Sequence, residues 1–176
     1  LLQNFLALGD TIQFKVKTLL ATEDESQFKI NQLSTFFRIS QQCLEFAGLD
    51  LQTGKSTIAD TVLFTFNGKR ELNDFNEKVN IHATLKNTVI YPEDLALFAP
   101  EAKRLTQPVV VNGIFNGRIN DFKLTEMELQ TGNSRLRGSL DMEGLPFLSE
   151  TFTILELKNS TLDFGDLKGI LGEQAL

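Results

Sequence analysis

Apolar and polar residues alternate with a period of two along most of the chain. At 11–20, for example, Ile12, Phe14 and Val16 fall on one side and polar residues on the other. The same alternation returns at 27–52 (two or three strands), 56–66, 79–91, 108–119, 122–131, 134–143, 151–158 and 160–164. A period of two is typical of a β-strand with one buried face. The pattern therefore predicts a mainly β protein whose strands each carry one apolar side.

One segment departs from this alternation and predicts helix. Residues 92–105 read PEDLALFAPEAKRL. Pro92 suits the first position of a helix, and Asp94 suits its positive end. Pro100 is expected to break the helix into two pieces. We therefore expect one or two short helices near 93–104. Residues 69–78 are polar and show no alternation.

A stretch of twelve residues occurs twice. Residues 51–62 read LQTGKSTIADTV and residues 129–140 read LQTGNSRLRGSL, an offset of 78 (129 − 51). Gly54 and Gly132 stand between two apolar segments, where a tight turn often needs positive φ. The Thr before each glycine and the Ser after it can cap the turn through their hydroxyls. Each copy is thus predicted to be two strands joined by a tight turn.

A second pair of segments supports an internal repeat. LKNT at 85–88 returns as LKNS at 157–160, an offset of 72 (157 − 85). Residues 36–98 and 109–171 are therefore predicted to be two copies of a unit of about 70–80 residues, stacked so that they share one apolar surface. Since no Gly/Ser-rich linker separates them, residues 1–176 are predicted to form a single β-rich domain. The pattern starts and stops abruptly, which favours a fragment of a longer chain.

Composition narrows the candidate functions. The chain has 15 Phe, one Tyr and no Trp. Because Phe has no polar group, its rings favour either a core or a groove for an apolar ligand. The net charge of −6 and the absence of a Lys/Arg run argue against a nucleic-acid partner. Cys43 is the only cysteine, which excludes a disulfide-stapled fold.

Residues with catalytic or ligand-binding chemistry are sparse. GLDLQTGKS resembles a phosphate-binding loop, but five residues separate Gly48 from Gly54 where the motif needs four. The repeat has Asn133 in place of Lys55, so this segment is predicted to be a turn. His82 is the only histidine, and alternation places it on the polar face of its strand.

The sequence has no second histidine and no cluster of cysteines that could complete a metal site with His82. No G-x-S-x-G elbow occurs, and no pair of carboxylates stands out. Cys43 precedes Leu44 in a predicted strand and is interpreted as a core residue. The sequence therefore predicts a non-enzyme with no catalytic residue, no metal and no cofactor.

The second half of the chain resembles a known family. The motifs, in order, are FAPE at 98–101, the strand with Gly113 and Gly117, GNSRLRG at 132–138, and GLP at 144–146 before Phe152. Together they resemble the AsmA-like superfamily and, within it, the TamB-like translocation and assembly module subunits of Bacteroidota. The resemblance covers about 90–170, while 1–89 match only as the same kind of strand-rich repeat.

The resemblance implies a repetitive curled sheet, the β-taco, forming a trough with an apolar interior. It implies a periplasmic segment of an inner-membrane-anchored envelope protein that conducts phospholipid between the inner and outer membranes or assists outer-membrane protein assembly. The implied partners are phospholipid acyl chains or unfolded outer-membrane protein strands, and an outer-membrane barrel protein of the BamA/TamA type.

The candidate groove residues are apolar side chains on the predicted inner faces: Ile58, Phe64, Phe66, Ile81, Leu85, Val109, Val111, Phe115, Leu136, Leu140, Phe152 and Ile154. An ordinary core would use the same residues and is the simpler interpretation of any one of them. Two other functions remain open. One is a binding module whose sheet edge captures strands of unfolded outer-membrane proteins. The other is a closed structural β-sandwich of a surface protein. An enzyme would need a polar cleft around His82.

Overall fold

The structure, a computed structural model, describes residues 1–22, 29–96, 103, 105–145 and 150–166. Within these residues, eleven strands form one antiparallel sheet, so the predicted mainly β fold is confirmed. The strands are β1 (Leu2–Leu8), β2 (Thr11–Thr22), β3 (Lys29–Ile39), β4 (Cys43–Thr53), β5 (Ser56–Ile58), β6 (Asp60–Thr65), β7 (Asn80–Ile90), β8 (Val109–Arg118), β9 (Asp121–Thr131), β10 (Ser134–Glu143) and β11 (Phe152–Leu157). They form one sheet and not the two stacked sheets of a sandwich.

The helices are short. A 3₁₀ helix at Lys69–Asp74 leads into α1 (Phe75–Lys78), and α2 (Pro92–Leu95) starts at Pro92 as predicted. The predicted continuation past Pro100 lies outside the described residues. The alternation analysis missed the helical turns at 69–78 because helices this short have no room for an apolar stripe.

The strands follow one another across the sheet in chain order. Ala59 separates β5 from β6, and both pair with β4 on one side and β7 on the other. They are therefore two parts of one strand, so that ten strands lie side by side with β1 and β11 at the edges. The strand predicted at 160–164 is instead an isolated bridge between Thr161 and Arg135.

Cross-strand pairing divides the sheet into an apolar and a polar face. On the face that we call inner, one row of directly paired residues crosses nine strands and is apolar throughout: Phe14, Phe37, Phe46, Val62, Ala83, Phe115, Leu124, Leu140 and Leu155. The adjacent row on the outer face is mostly polar: Gln13, Arg38, Glu45, Leu63, His82, Asn116, Lys123, Asp141 and Ile154. The alternation seen in the sequence is therefore one continuous pattern across the sheet.

Extra residues within strands bend this sheet. Register shifts occur in β1, β2, β3, β4, β7 and β9. Five residues in the strands or just after β11 have left-handed φ of 49–56°: Asn4, Gly48, Asn87, Glu126 and Asn159. A bulge of this kind bends a strand and increases its twist. The bends divide the sheet into two wings, with the row from Phe14 to Leu155 in the first wing.

The second wing carries its own inner apolar row, which includes Leu33, Leu51, Val111, Leu129 and Leu136. Between the wings the best-buried cluster is Val111, Leu124 and Met127. The molecule nevertheless exposes 11238 Å², whereas a compact monomer of this mass exposes about 8600 Å². The wings thus form a trough whose inner faces stay partly open.

Candidate apolar groove

A cavity of about 550 Å³ lies between the two wings. Its lining comes from strands β3 to β8 and the residue that follows β8: Ile30, Leu33, Phe46, Leu49, Leu51, Ile58, Val62, Phe64, Ile81, Ala83, Leu85, Thr88, Ile90, Phe115 and Ile119. Fourteen of these fifteen residues are apolar, and Thr88 is the exception. The volume falls within the range of small-molecule sites, about 300–1,000 Å³.

The lining offers little to a polar ligand. The Thr88 hydroxyl donates a hydrogen bond of 2.7 Å to the carbonyl of Ala59, so its proton is already engaged within the protein. The Ala59 backbone N–H donates to the same hydroxyl at 3.2 Å. Since burying an unpaired polar group costs free energy, a polar ligand would be disfavoured between these wings.

A ladder of aromatic rings runs along the first wing. In favourable aromatic pairs the ring centroids lie about 4.5–7 Å apart, and each pair contributes about 0.5–1.5 kcal/mol. Here the successive distances are 6.4, 4.8, 5.2, 6.2 and 5.3 Å along Phe5, Phe14, Phe37, Phe46, Phe64 and Phe75. The ladder starts on β1 and ends on α1, so that helix supplies the last ring of a continuous aromatic wall.

The structure brings five of the predicted groove residues into the cavity lining: Ile58, Phe64, Ile81, Leu85 and Phe115. Four others belong to the buried cluster or pack against it on the inner faces of β8 and β10: Val109, Val111, Leu136 and Leu140. Phe66 is buried, at 5% exposure, and does not line the cavity.

The remaining two predicted residues face away from the groove. Phe152 pairs with Glu143 and Ile154 with Asp141, which places both on the outer face. Leu155 takes the inner position instead, opposite Leu140. β11 is apolar on both faces, so its alternation did not specify which side turns inward; pairing with β10 decides it.

Ten lining residues were not among the predicted candidates: Ile30, Leu33, Phe46, Leu49, Leu51, Val62, Ala83, Thr88, Ile90 and Ile119. Most of them belong to alternating segments whose apolar faces were predicted. The missing information was which strands meet across the bend, because this depends on register and on the bulges.

The outer face holds polar pairs. Arg38 Nε lies 2.7 Å from Glu45 Oε2, and this hydrogen bond raises the pKa of the arginine above its ordinary value. Further along the same row, His82 Nδ1 is hydrogen-bonded to Asn116 Oδ1. His82 therefore lies on the polar face, as the alternation predicts.

Cys43 and Lys55, the other two residues considered for catalysis or ligand binding, each contact a neighbouring side chain of the protein. Cys43 is half-buried opposite Thr65 on the outer face, 3.2 Å from the Ser40 hydroxyl, so its interpretation as a core residue is wrong. Lys55 follows the turn glycine and pairs with Glu93 at 3.0 Å.

In the part of the chain that the structure describes, no group of His, Cys, Asp or Glu could hold a metal ion. No described helix is long and apolar enough to cross a membrane.

Comparisons of the chain with protein-family models, with curated proteins and with solved structures give no match. The AsmA-like resemblance therefore stays a prediction from the motifs, and the groove is interpreted from its own geometry.

Proposed function

We propose that the groove binds the acyl chains of phospholipids, as a segment of a TamB-like envelope protein that conducts them between two membranes. The observation that carries the proposal is the cavity lining, in which fourteen of fifteen residues are apolar. The one polar lining group, the Thr88 hydroxyl, is hydrogen-bonded internally. Such a lining suits a ligand with a long apolar part and no need for directional contacts.

The energetics favour acyl chains over water as the occupant. Each CH₂ group removed from water contributes about 0.8 kcal/mol, so a bare acyl chain faces a large barrier in the aqueous space between membranes. A trough lowers that barrier by covering the chain while the head group stays in water at the open side. Because apolar contacts are non-directional, the chain can shift along the trough without losing specific bonds.

The length of the inner row suits transfer and not only storage. Adjacent strands lie about 4.8 Å apart, so a row that crosses nine strands is about 38 Å long. One acyl chain occupies half of a hydrocarbon core that is about 30 Å thick, or about 15 Å. A chain could therefore move over more than its own length while staying on apolar side chains.

The cellular setting in this proposal comes from the family resemblance at 90–170. In this proposal the protein lies in the periplasm as part of an inner-membrane-anchored chain, and its partner is an outer-membrane barrel protein of the BamA/TamA type.

Photocrosslinking tests the proposal. A photoreactive amino acid at position 64 or 115 would replace a ring that lines the cavity. Phe36 is the matched control because it is a phenylalanine on the outer side of β3, 37% exposed. We expect phospholipid adducts from positions 64 and 115 and none from position 36 after irradiation in cells. Adducts to protein alone, or equal lipid adducts from all three positions, would contradict the proposal.

A further inference from the structure

The cavity between the two wings ends at β8. Its lining comes from β3 to β8 and from Ile119, and no described residue of β9, β10 or β11 belongs to it. The inner apolar row nevertheless continues through Leu124 on β9 and Leu140 on β10. Side chains near β9 must therefore fill the space that is a cavity between β3 and β8.

Met127 fills this space. It is 2% exposed and forms one buried cluster with Leu124 of the first wing and Val111 of the second. The residues beside it on the adjacent strands carry no side chain. Met127 pairs with Gly138 on β10, and a Cβ added to Gly113 on β8 would lie 3.4 Å from the Met127 Cα. Between these two glycines, Met127 is thus the side chain that closes the gap between the wings.

The equivalent positions on β4 and β7 behave differently. Three residues at the bend, each directly after a left-handed residue, lie 39 apart (88 − 49 and 127 − 88): Leu49, Thr88 and Met127. They are 6%, 1% and 2% exposed. Leu49 and Thr88 line the cavity, whereas Met127 does not. Methionine has the longest and most flexible of the three side chains, so this position is a wall of the cavity on β4 and β7 but fills the trough on β9.

The cavity that remains between β3 and Met127 matches one acyl chain in length. It crosses five strand positions when β5 and β6 are counted as one, which is about 19 Å at about 4.8 Å between neighbours. One acyl chain is about 15 Å long, half of a hydrocarbon core of about 30 Å. A single chain that lies across the strands therefore fits between β3 and β8, and Met127 lies beyond its end.

We propose that Met127 stops an acyl chain in the groove and so sets the length of chain that the groove holds. This inference rests on the proposed function, because the ligand is the same acyl chain. Transfer beyond β8 then requires the Met127 side chain to move aside. An unbranched thioether suits this role, since methionine adapts its shape to irregular spaces.

A phospholipid with a photoreactive group at the methyl end of one acyl chain tests the proposal. The lipid is offered to the purified chain in phosphatidylcholine vesicles, and mass spectrometry maps the residues that form adducts after irradiation. For the wild type we expect adducts on cavity residues such as Phe64 and Phe115. Adducts on Leu136 and Leu140 of β10, which pack against the Met127 cluster, should be at least about tenfold fewer. Met127→Ala should remove most of this difference.

Met127→Leu is the matched control, because it keeps a side chain of similar volume and should therefore keep the wild-type map of adducts. Circular dichroism checks folding, and Met127→Val, a smaller truncation that suits a strand, replaces Met127→Ala if the alanine variant does not fold.

Two results would overturn the role of Met127 and leave the acyl-chain function standing. One is a wild type with as many adducts on β10 as on β8, which needs no variant. The other is a folded Met127→Ala or Met127→Val variant whose map equals that of the wild type. Absence of adducts from every inner residue of every variant would instead overturn the acyl-chain function and this inference with it, so the two failures are distinguishable.

Discussion

The carboxylate of Asp94 holds Ser56 by two hydrogen bonds. Asp94 Oδ2 accepts from the Ser56 backbone N–H at 2.8 Å and from the Ser56 hydroxyl at 2.7 Å. It also accepts from the Lys55 backbone N–H at 2.8 Å. The Ser56 hydroxyl oxygen in turn accepts from the Tyr91 N–H at 2.9 Å. The start of α2 is thereby fastened to the turn between β4 and β5.

The same contact occurs a second time. Asp166 Oδ2 accepts from the backbone N–H groups of Asn133 and Ser134 at 3.0 and 2.9 Å, and from the Ser134 hydroxyl at 2.7 Å. The Ser134 hydroxyl oxygen accepts from the Asp163 N–H at 3.0 Å. The offsets are 78 for the serines (134 − 56) and 72 for the aspartates (166 − 94), the same offsets as in the sequence repeat. The repeat therefore carries a tertiary contact, in which an aspartate downstream is hydrogen-bonded to the turn in both copies.

Asp94→Asn should destabilise the fold. All three hydrogen bonds end on the same oxygen of Asp94, and an amide oxygen in its place carries no full negative charge. The three charge-assisted bonds are therefore weakened or lost, which should cost about 1–3 kcal/mol in the free energy of unfolding. Urea denaturation measures it. Glu93→Gln is the control, because Glu93 lies beside Asp94 but forms only an exposed pair with Lys55. Equal effects of the two substitutions would show that the three bonds contribute little.

Gly117 should not tolerate a side chain. It lies opposite Phe122, has φ of 128°, and a Cβ added there would lie 2.7 Å from the Phe122 Cα. Gly117→Ala should therefore cost about 2–3 kcal/mol through strain and displacement of the Phe122 backbone. Gly68→Ala is the matched control, since its φ of 172° is extended and no atom lies within 4 Å of the added Cβ. Similar melting temperatures for both variants would contradict this account.

Sequence alternation predicted the two faces of the sheet well where strands are regular. Ile12, Phe14 and Val16, for example, share the inner face, as their pairing partners do. The tight turns were also predictable, because Gly54 and Gly132 have φ of 52° and 53°. Both successes rest on local chemistry: side-chain alternation in a pleat, and glycine at positive φ.

The bulges could be read from the sequence only in part. Gly48, Asn87 and Glu126 take the same left-handed conformation at a spacing of 39 (87 − 48 and 126 − 87), yet three different residue types occupy these positions. Asn159 follows Glu126 by only 33 (159 − 126), but it holds the place in LKNS that Asn87 holds in LKNT, so this pair of bulges does recur in the sequence repeat. Because each bulge reverses the side that later residues face, missing it obscures which residues meet in the groove.

Glu126 is the least suited of these residues to its backbone. It has φ of 50°, a conformation that Asn tolerates and that costs a long side chain about 1–2 kcal/mol. Glu126→Asn should therefore raise the free energy of unfolding by about 0.5–1 kcal/mol. Glu126→Ala removes the same carboxylate without relieving the backbone, so it should give no such gain. If alanine stabilises as much as asparagine, charge and not conformation is the cause.

Glu128 should make part of the stability depend on pH. Its carboxylate accepts a hydrogen bond from Arg135 and another from Arg137 at 3.2 Å, and the pair with Arg135 lowers the pKa of Glu128 below its ordinary value. A carboxylate with a lowered folded-state pKa stabilises the fold above its unfolded pKa, about 4.3, and this contribution is lost as the pH falls through the folded-state pKa. In urea denaturation, the free energy of unfolding of Glu128→Gln should thus differ most from that of the wild type near pH 7. The two values should converge towards pH 3. A difference that is constant over this range would exclude the ionic contribution.

Ala83 lies in the inner row between Val62 and Phe115, at a place where that row lines the cavity. It has the smallest side chain of the row there and is 5% exposed. Ala83→Leu places three more carbon atoms in the groove, and each buried CH₂ contributes about 0.8 kcal/mol, so we expect a melting temperature that is unchanged or higher. The same atoms occupy the space proposed for an acyl chain, and lipid adducts from photoreactive groups at positions 64 and 115 should fall. Thr84→Leu is the control, because Thr84 lies on the outer face opposite Thr61. Undiminished adducts from a folded Ala83→Leu variant would mean that acyl chains do not pass between the wings.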